Sequence, residues 1–410
     1  MLTNRNFGDI VTFTRASARW RFGADGVLVQ DAANVPSLDY DPITLAARGL
    51  LVEDSRTNVI RNNSCVGAVA GTPGAAPTNW VLSAASGLAW SVVGIGSEDG
   101  IPFVDLRLQG TASAVSYNSV SFDTASPAAS VGQTWSIGAS VKLIAGSFAN
   151  VGYAAAEGLR VAEYDAAPAY LGSTGSDIRT VALGANLRGN RVAHTRTVAV
   201  AGAATVRPQL QFPVASGGVV DMTLRIGAPQ FELGVFPTSP ILTTNTQVTR
   251  AVDYAIVTDL SKIAFNASEG TIYLEAVAPA GLRTDGGSQF CIGLDDNGFN
   301  NAISIGRSAA RAFRAQIKSN NVDQGAMISG TWADNTNAKV ALAYSASGAS
   351  LCWNGGAPVS TPGAVSVPPL TRLRLGTNII DGSAVWNSAI RNLRYFPRRL
   401  SATELQNLTA

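Results

Sequence analysis

Residues 133–143 read QTWSIGASVKL, and their apolar side chains fall on every second position. Trp135, Ile137, Ala139, Val141 and Leu143 therefore share one face of an extended chain, which marks a half-buried β-strand. The same alternation recurs outward from this stretch, in TVRPQLQF at 205–212 and VDMTLRIGAPQFEL at 220–233. Further along, GTIYLEAVA (270–278), AFRAQIKS (312–319), LTRLRLGT (370–377) and IRNLRYF (390–396) read as strands too. Between such runs lie hairpin signals: Gly23-Ala24-Asp25-Gly26, Asp295-Asp296-Asn297-Gly298, Ser347-Gly348 and Asn354-Gly355. Helical signal is confined to the C-terminal end, where Ser401 and Glu404 form a capping box ahead of Leu405 and Leu408. No heptads predict a coiled-coil stalk. Many short strands joined by polar turns predict an all-β protein.

At 410 residues the chain is too long for one ordinary core. Two stretches read as boundaries: GAVAGTPGAAPTNW at 67–80, and the polar run TTNTQVTR at 243–250 after Pro237 and Pro240. They predict a small N-terminal β module over 1–62 and two β-sandwich (jelly-roll) domains over 63–243 and 244–410.

Charged residues make up 14% of the chain, against the usual quarter or so, which leaves the surface to Ser, Thr, Asn, Gln and Gly. That habit suits extracellular and virion β-proteins. A net charge of +2 supplies no concentrated basic surface, which argues against a nucleic-acid partner. No apolar run is long enough to span a membrane, and the opening MLTNRNFGDIVTF lacks a basic-then-apolar leader pattern. Cys65, Cys291 and Cys352 are too few and too scattered for a disulfide framework or a four-cysteine zinc site. Buried free thiols fit best, with a Cys291–Cys352 bridge as the alternative.

The opening FTRASARWRFGADGVLVQDAANVPSLDYDPITLAARGLLVEDSRTNVI carries a further pattern. Thr14 to Ser17, Asp25-Gly26, Asn34 to Pro36, Asp39 to Pro42 and Gly49 to Asn58 together resemble a module near the start of phage and prophage tail or fibre proteins. That family usually has an arginine after the Asn-x-Pro proline; Ser37 departs from it, which implies the loss of a local salt bridge. The middle region, ending GAPQFELGVFPTSPI, is similar to carbohydrate-binding-module-like jelly rolls. The C-terminal region, with Glu269-Gly270-Thr271, Asn354-Gly355-Gly356 and LRYFPRRLSATELQNL, resembles concanavalin A-like (laminin G-like) jelly rolls.

The chemistry-bearing residues point away from catalysis. His194 is the only histidine, so a two-histidine metal helix is excluded, and no G-x-S-x-G elbow occurs. Glycosidases of the concanavalin A-like fold carry alternating acids on one strand; here Thr271 and Tyr273 separate Glu269 from Glu275, which sit too far apart. Asp295, Asp296 and Asn297 offer calcium-type oxygens, but the hairpin reading takes precedence, and neither metal nor cofactor is expected. Sugar recognition stacks aromatic faces on pyranose rings beside amide and carboxylate groups. Trp135 aligns with aliphatic neighbours and reads as core. Trp80, Trp90, Trp332 and Trp386 stand beside loop residues and become the candidate sugar contacts, with Asp334, Asn335 and Asn387. The loops at 332–336 and 381–387 are the predicted ligand surface.

The resemblance and the composition together imply a non-catalytic adhesin, made in the host cytoplasm and carried on a virion exterior. It is expected to bind cell-surface polysaccharide, probing a host as a tail fibre, baseplate-peripheral or head-spike subunit. Residues 1–62 are expected to contact other virion proteins, and the chain to form a homotrimer that gains strength by avidity. A purely structural virion protein and a polysaccharide depolymerase are the alternatives.

Overall fold

The computed structural model describes residues 6–152, 157–283, 285–298, 300–377 and 384–410. It is all-β: four large antiparallel sheets form two sandwiches, with the short capped helix Ala402–Thr409 at the end. In that helix Ser401 accepts from the Glu404 amide and Glu404 reaches back to the Ser401 amide, as its sequence predicts.

The middle sandwich pairs two five-stranded sheets. One runs in the order Tyr170–Ser176, Gly158–Tyr164, Thr205–Val214, Ser116–Ser121, Val81–Ser83. The other runs Arg191–Thr197, Thr134–Gly146, Val219–Leu233, Ile101–Thr111, Leu88–Glu98. Trp135, Ile137, Ala139 and Val141 point inward from Thr134–Gly146 as their period-2 spacing requires, and meet Val206, Leu210 and Phe212 of the facing sheet in one core.

The second sandwich overturns part of the expected domain plan. Its sheets each hold seven strands, and the opening segment supplies three of them. Thr12–Thr14 pairs with Tyr254–Val257, Ala47–Val52 pairs with Ser388–Phe396, and Leu38–Tyr40 lies outside Ala47–Val52. Val11, Phe13, Leu50 and Val52 pack in the same core as Ile272, Leu294, Ile305 and Leu342. Residues 1–62 and 244–410, read as two domains, thus share sheets and core; such short strands cannot bury a core of their own. The hairpin of Arg19–Phe22 with Leu28–Asp31 stands apart from these sheets, as does the pair of Arg56–Asn58 with Val248–Arg250, and Leu28 of the hairpin packs on Ile101, Phe103 and Leu187 of the middle sandwich.

The motif residues of the opening segment are what tie it in. Arg15 and Arg19 enter a water-excluded junction where both meet Asp253, and Arg19 also reaches Glu53 at 3.2 Å. Glu53 pairs with Arg250 at 3.0 Å and accepts from the Ser239 amide and hydroxyl at 2.9 and 2.6 Å. Burial pushes the Glu53 carboxyl up, but Arg250, Arg19 and the Ser239 donors outweigh it and hold its pKa at about 2. Asn58 accepts from the amides of Ile60 and Phe231 and donates to the Ile241 carbonyl, joining the linker to the middle sandwich. Ser37 is buried and its hydroxyl accepts from Arg15 Nη1 at 3.3 Å, while Arg15 keeps an ion pair with Asp253. An arginine there would set a like charge against Arg15.

All three cysteines are free and buried, in separate places, so no Cys291–Cys352 bridge forms. The Asp295–Gly298 hairpin joins Gln289–Asp295 to Ala302–Arg307 as its residues predict. Arg374 takes the Asp295 carboxylate at 2.5 Å, and Arg372 and Arg374 both donate to the Asn297 side-chain oxygen. Cations already hold those oxygens.

Candidate functional site

The tryptophans singled out from the sequence are core residues, which is a correction. Trp332 is 1% exposed and Trp386 0%, their rings 4.9 Å apart, and Trp332 stacks on Phe313 at 4.8 Å. Both are loop residues that belong to the core of the second sandwich. Trp80 and Trp90 are each 6% exposed in the middle sandwich. Trp80 donates to the Asn62 carbonyl at 2.7 Å and meets Phe122 edge-on; Trp90 donates to the Ser83 carbonyl and backs a shallow groove of about 350 Å³ beside Leu82 and Ala89. Rings enclosed this far offer little face for a pyranose to stack on.

Two polar members of the expected site, Asp334 and Asn387, are also engaged. Asp334 bridges Arg307 at 2.6 Å and Arg311 at 2.9 Å, pinning the loop that carries Trp332. Asn335 is exposed at a left-handed turn position, φ 59°. Asn387 accepts from the Asp54 amide at 2.8 Å and lines a junction cleft of about 140 Å³ with Arg56, Phe236 and Gln289. Residues 381–383 of the second expected loop lie outside the described residues. Among the described residues of these loops, Trp332 and Trp386 are taken up in the core, and Asp334 and Asn387 are bonded to Arg307 and the Asp54 amide.

A different face gathers suitable groups. In Thr205–Val214 the residues Val206, Leu210 and Phe212 face the core, which turns Arg207, Gln209 and Gln211 to the outside of the sheet. Register aligns Arg160 with Gln209, Ala162 with Arg207, and Ser121 with Gln209. On the other side Gly175 stands opposite Arg160 and Ser173 opposite Ala162. A Cβ on Gly175 would come within 2.9 Å of Arg160 Cβ, so glycine is what leaves room for the arginine.

The resulting cluster is tightly bonded. Arg160 donates to Gln209 Oε1 through Nε at 3.1 Å and Nη2 at 2.7 Å, and through Nη1 to Gln211 Oε1 and to Ser173 Oγ at 3.4 Å. Gln209 in turn donates to Ser121 Oγ at 2.7 Å. Tyrosines flank these groups: the Arg207 guanidinium lies 4.3 Å over the Tyr164 ring, Tyr164 meets Tyr170 edge-on at 5.9 Å, and Arg160 sits 5.8 Å from the Tyr170 ring. Tyr170 and Tyr117 are the open aromatics here, 53% and 57% exposed. Burial draws the Arg160 pKa down, with Tyr164, Tyr170 and Glu157 offsetting part of that, and the group remains a cation. Flat aromatic rings, fixed amides, hydroxyls and guanidinium donors on one rigid sheet are the groups that recognise a polyhydroxylated ring.

His194 holds the edge of this sheet. Its Nε2 lies 2.8 Å from Thr174 Oγ1 and its Nδ1 3.0 Å from Ser176 Oγ, linking Arg191–Thr197 of the facing sheet to Tyr170–Ser176. Burial, then Arg196, lowers its pKa to about 4.

The two glutamates weighed as a glycosidase pair stand at opposite ends of Glu269–Val277. Six residues of extended chain separate them by roughly 20 Å, against about 5–10 Å for a catalytic pair. Glu275 is bonded to Arg391, Asn392 and Tyr273, and Glu269 accepts from the Arg399 amide.

No family model matches the chain, and no curated protein matches it. Among solved structures it is similar to the CBM40 domain of a Ruminococcus gnavus IT-sialidase, at 13% identity and TM-score 0.30, covering 35% of this chain and 84% of that one. It is similar to domain 4 of AbnA, a GH43 extracellular arabinanase from Geobacillus stearothermophilus, at 14% identity and TM-score 0.29, covering 39% and 73%. It is also similar to a Trypanosoma rangeli sialidase, at 15% identity and TM-score 0.31, covering 38% of this chain and 26% of that one. At these values the likeness does not name a ligand.

Proposed function

We propose that this protein is a non-catalytic adhesin that binds cell-surface polysaccharide through the outer face of its middle sandwich. The observation that carries the proposal is the Arg160–Gln209–Gln211 cluster flanked by Tyr164, Tyr170 and Tyr117. The separation of Glu269 from Glu275 supports binding without cleavage.

The place of binding is a virion exterior, as a tail-fibre, baseplate-peripheral or head-spike subunit, with other virion proteins as partners. Support for it is the opening sequence motif, whose Arg15, Arg19, Glu53 and Asn58 set the junction between the sandwiches. Trimerisation would let weak sugar sites act together on one surface.

The test is binding of the full chain to a panel of immobilised bacterial capsular and O-chain polysaccharides, neutral and acidic. Tyr170→Ala and Tyr117→Ala should each weaken binding about tenfold, within the range for aromatic contacts, without lowering the melting temperature. Binding that survives both substitutions, or a panel on which nothing binds, contradicts the proposal; release of reducing ends would make the protein a depolymerase instead.

A further inference from the structure

The junction cleft is a polar cavity walled by both sandwiches. Asp54 and Arg56 reach it from the opening segment, Phe236 from the loop that leaves the middle sandwich, and Leu282, Gln289 and Asn387 from the second sandwich. Its volume of about 140 Å³ is close to the roughly 150 Å³ at which an apolar cavity takes up one benzene ring. There is room for one ring and not for a chain running through. A Cβ on Gly234 would fall on the Arg56 guanidinium, so glycine is what lets Arg56 lie there and donate through Nη1 to the Leu233 carbonyl.

The charges lining the cleft are already balanced. Arg56 Nε meets Asp54 Oδ1 at 2.9 Å, and Arg283 Nε meets Asp285 Oδ1 at 2.8 Å. What remains is hydrogen-bonding capacity. Arg56 Nη2 donates to no described residue, and Asp54 Oδ2 accepts from none. Gln289 is buried in the cleft wall, where its Oε1 accepts from Arg307 Nη2 at 3.0 Å. That bond fixes which way the amide is turned and leaves Nε2 without a partner. A buried donor left unpaired is costly, and a ligand oxygen in the cavity would relieve it.

We infer that the junction cleft binds one uncharged sugar ring, free or at a chain end. A hydroxyl donates and accepts at once, so neighbouring hydroxyls take the Arg56 Nη2 proton and give one to Asp54 Oδ2 without breaking the Arg56–Asp54 pair. A further oxygen offers Gln289 Nε2 the acceptor it lacks. Phe236 and Leu282 supply apolar surface for the C–H side of the ring. A charged ligand would have to break one of the two ion pairs to meet its counter-ion. The site is separate from the outer face of the middle sandwich, and the inference does not rest on that reading.

Saturation-transfer NMR of the full chain provides the test, with glucose, galactose, mannose, rhamnose and N-acetylglucosamine as probes and glucuronate and alanine as charged controls. At least one neutral sugar should give a saturable signal that neither charged compound exceeds. Leu282→Trp fills the cleft and should abolish the signal. Asp54→Ala, whose lost side chain bonds only Arg56, should weaken affinity at least tenfold. Both should keep the natural melting temperature, since neither side chain is fully buried. Hydrogen exchange of the natural protein locates the sugar without any substitution: peptides spanning 54–58 and 285–289 should exchange more slowly when it is bound. The inference falls if no neutral sugar binds, if a charged compound binds tighter than every neutral one, or if those peptides gain no protection. A folded Leu282→Trp protein that binds as the natural one does overturns it too. Protection in Gly158–Tyr164 and Thr205–Val214 instead would move the sugar to the outer face, so that the junction site falls and the reading of that face stands.

Discussion

Replacing Glu53 by glutamine isolates the junction that fastens the opening segment to both sandwiches. The change keeps the shape and one of the two acceptor oxygens that Ser239 uses, but removes the charge that Arg19 and Arg250 share. Arg19 is then left to compete with Arg15 for Asp253, and Arg250 keeps only Thr238, Ser239 and the Asp54 carbonyl. The fall of the Glu53 pKa from 4.5 to about 2 corresponds to about 3 kcal/mol in favour of the folded state. Breaking one partner of a buried ion pair costs a similar amount, about 3–5 kcal/mol. Native-state hydrogen exchange is the assay, because it resolves the strands that depend on the junction. In Glu53→Gln at pH 7, Thr12–Thr14, Ala47–Val52 and Tyr254–Val257 should exchange about 100-fold faster. The pH arm has a definite sign. A depressed carboxylate pKa gives stability that is complete above 4.5 and lost as pH falls through about 2, so over that window the natural protein loses this share in addition to what other carboxylates lose in both proteins. Exchange within about threefold of the natural protein in those strands would refute the reasoning.

Other consequences follow from the same packing. Trp332→Ala and Trp386→Ala should each lose about 3–5 kcal/mol of stability, read by urea unfolding, because both rings are enclosed. A chain lacking residues 1–58 should lose the folded second sandwich, since Val11, Phe13, Leu50 and Val52 leave its core; circular dichroism and a soluble, protease-resistant product would contradict this. Cys65, whose thiol burial pushes up to about 12, should resist alkylation in the native protein and react after unfolding, as mass spectrometry will show. Because the lowered His194 pKa makes its contribution complete above about 6.5 and lost as pH falls through about 4, Tyr170–Ser176 should exchange faster over that range. His194→Gln should flatten the profile.

Strand content was legible because alternation is a local property: Trp135 to Val141 declare their face without help from the rest of the chain. The hairpins at Asp25-Gly26 and Asn297-Gly298 and the cap at Ser401 are equally local. What the sequence hid is long-range pairing. Nothing near Phe13 or Leu50 says that their strands complete a sheet begun more than 200 residues later. The tryptophans misled for a related reason. Gly330, Asp334 and Asn335 make the surroundings of Trp332 look wet, yet this loop side chain belongs to the core of the second sandwich. The candidate face left one local trace, since Arg207, Gln209 and Gln211 are larger and more polar than an ordinary outward register of Ser and Thr. Only strand order brings Arg160, Ser173 and Ser121 beside them.

The most direct test of glycan binding by the middle sandwich is hydrogen exchange of the full chain with and without the tightest-binding polysaccharide of the panel. Binding at the proposed face should slow exchange in Gly158–Tyr164, Tyr170–Ser176 and Thr205–Val214 and leave the second sandwich unchanged. Protection confined to the loops around Trp332 and Asn387, or absent from all three strands, would contradict the account.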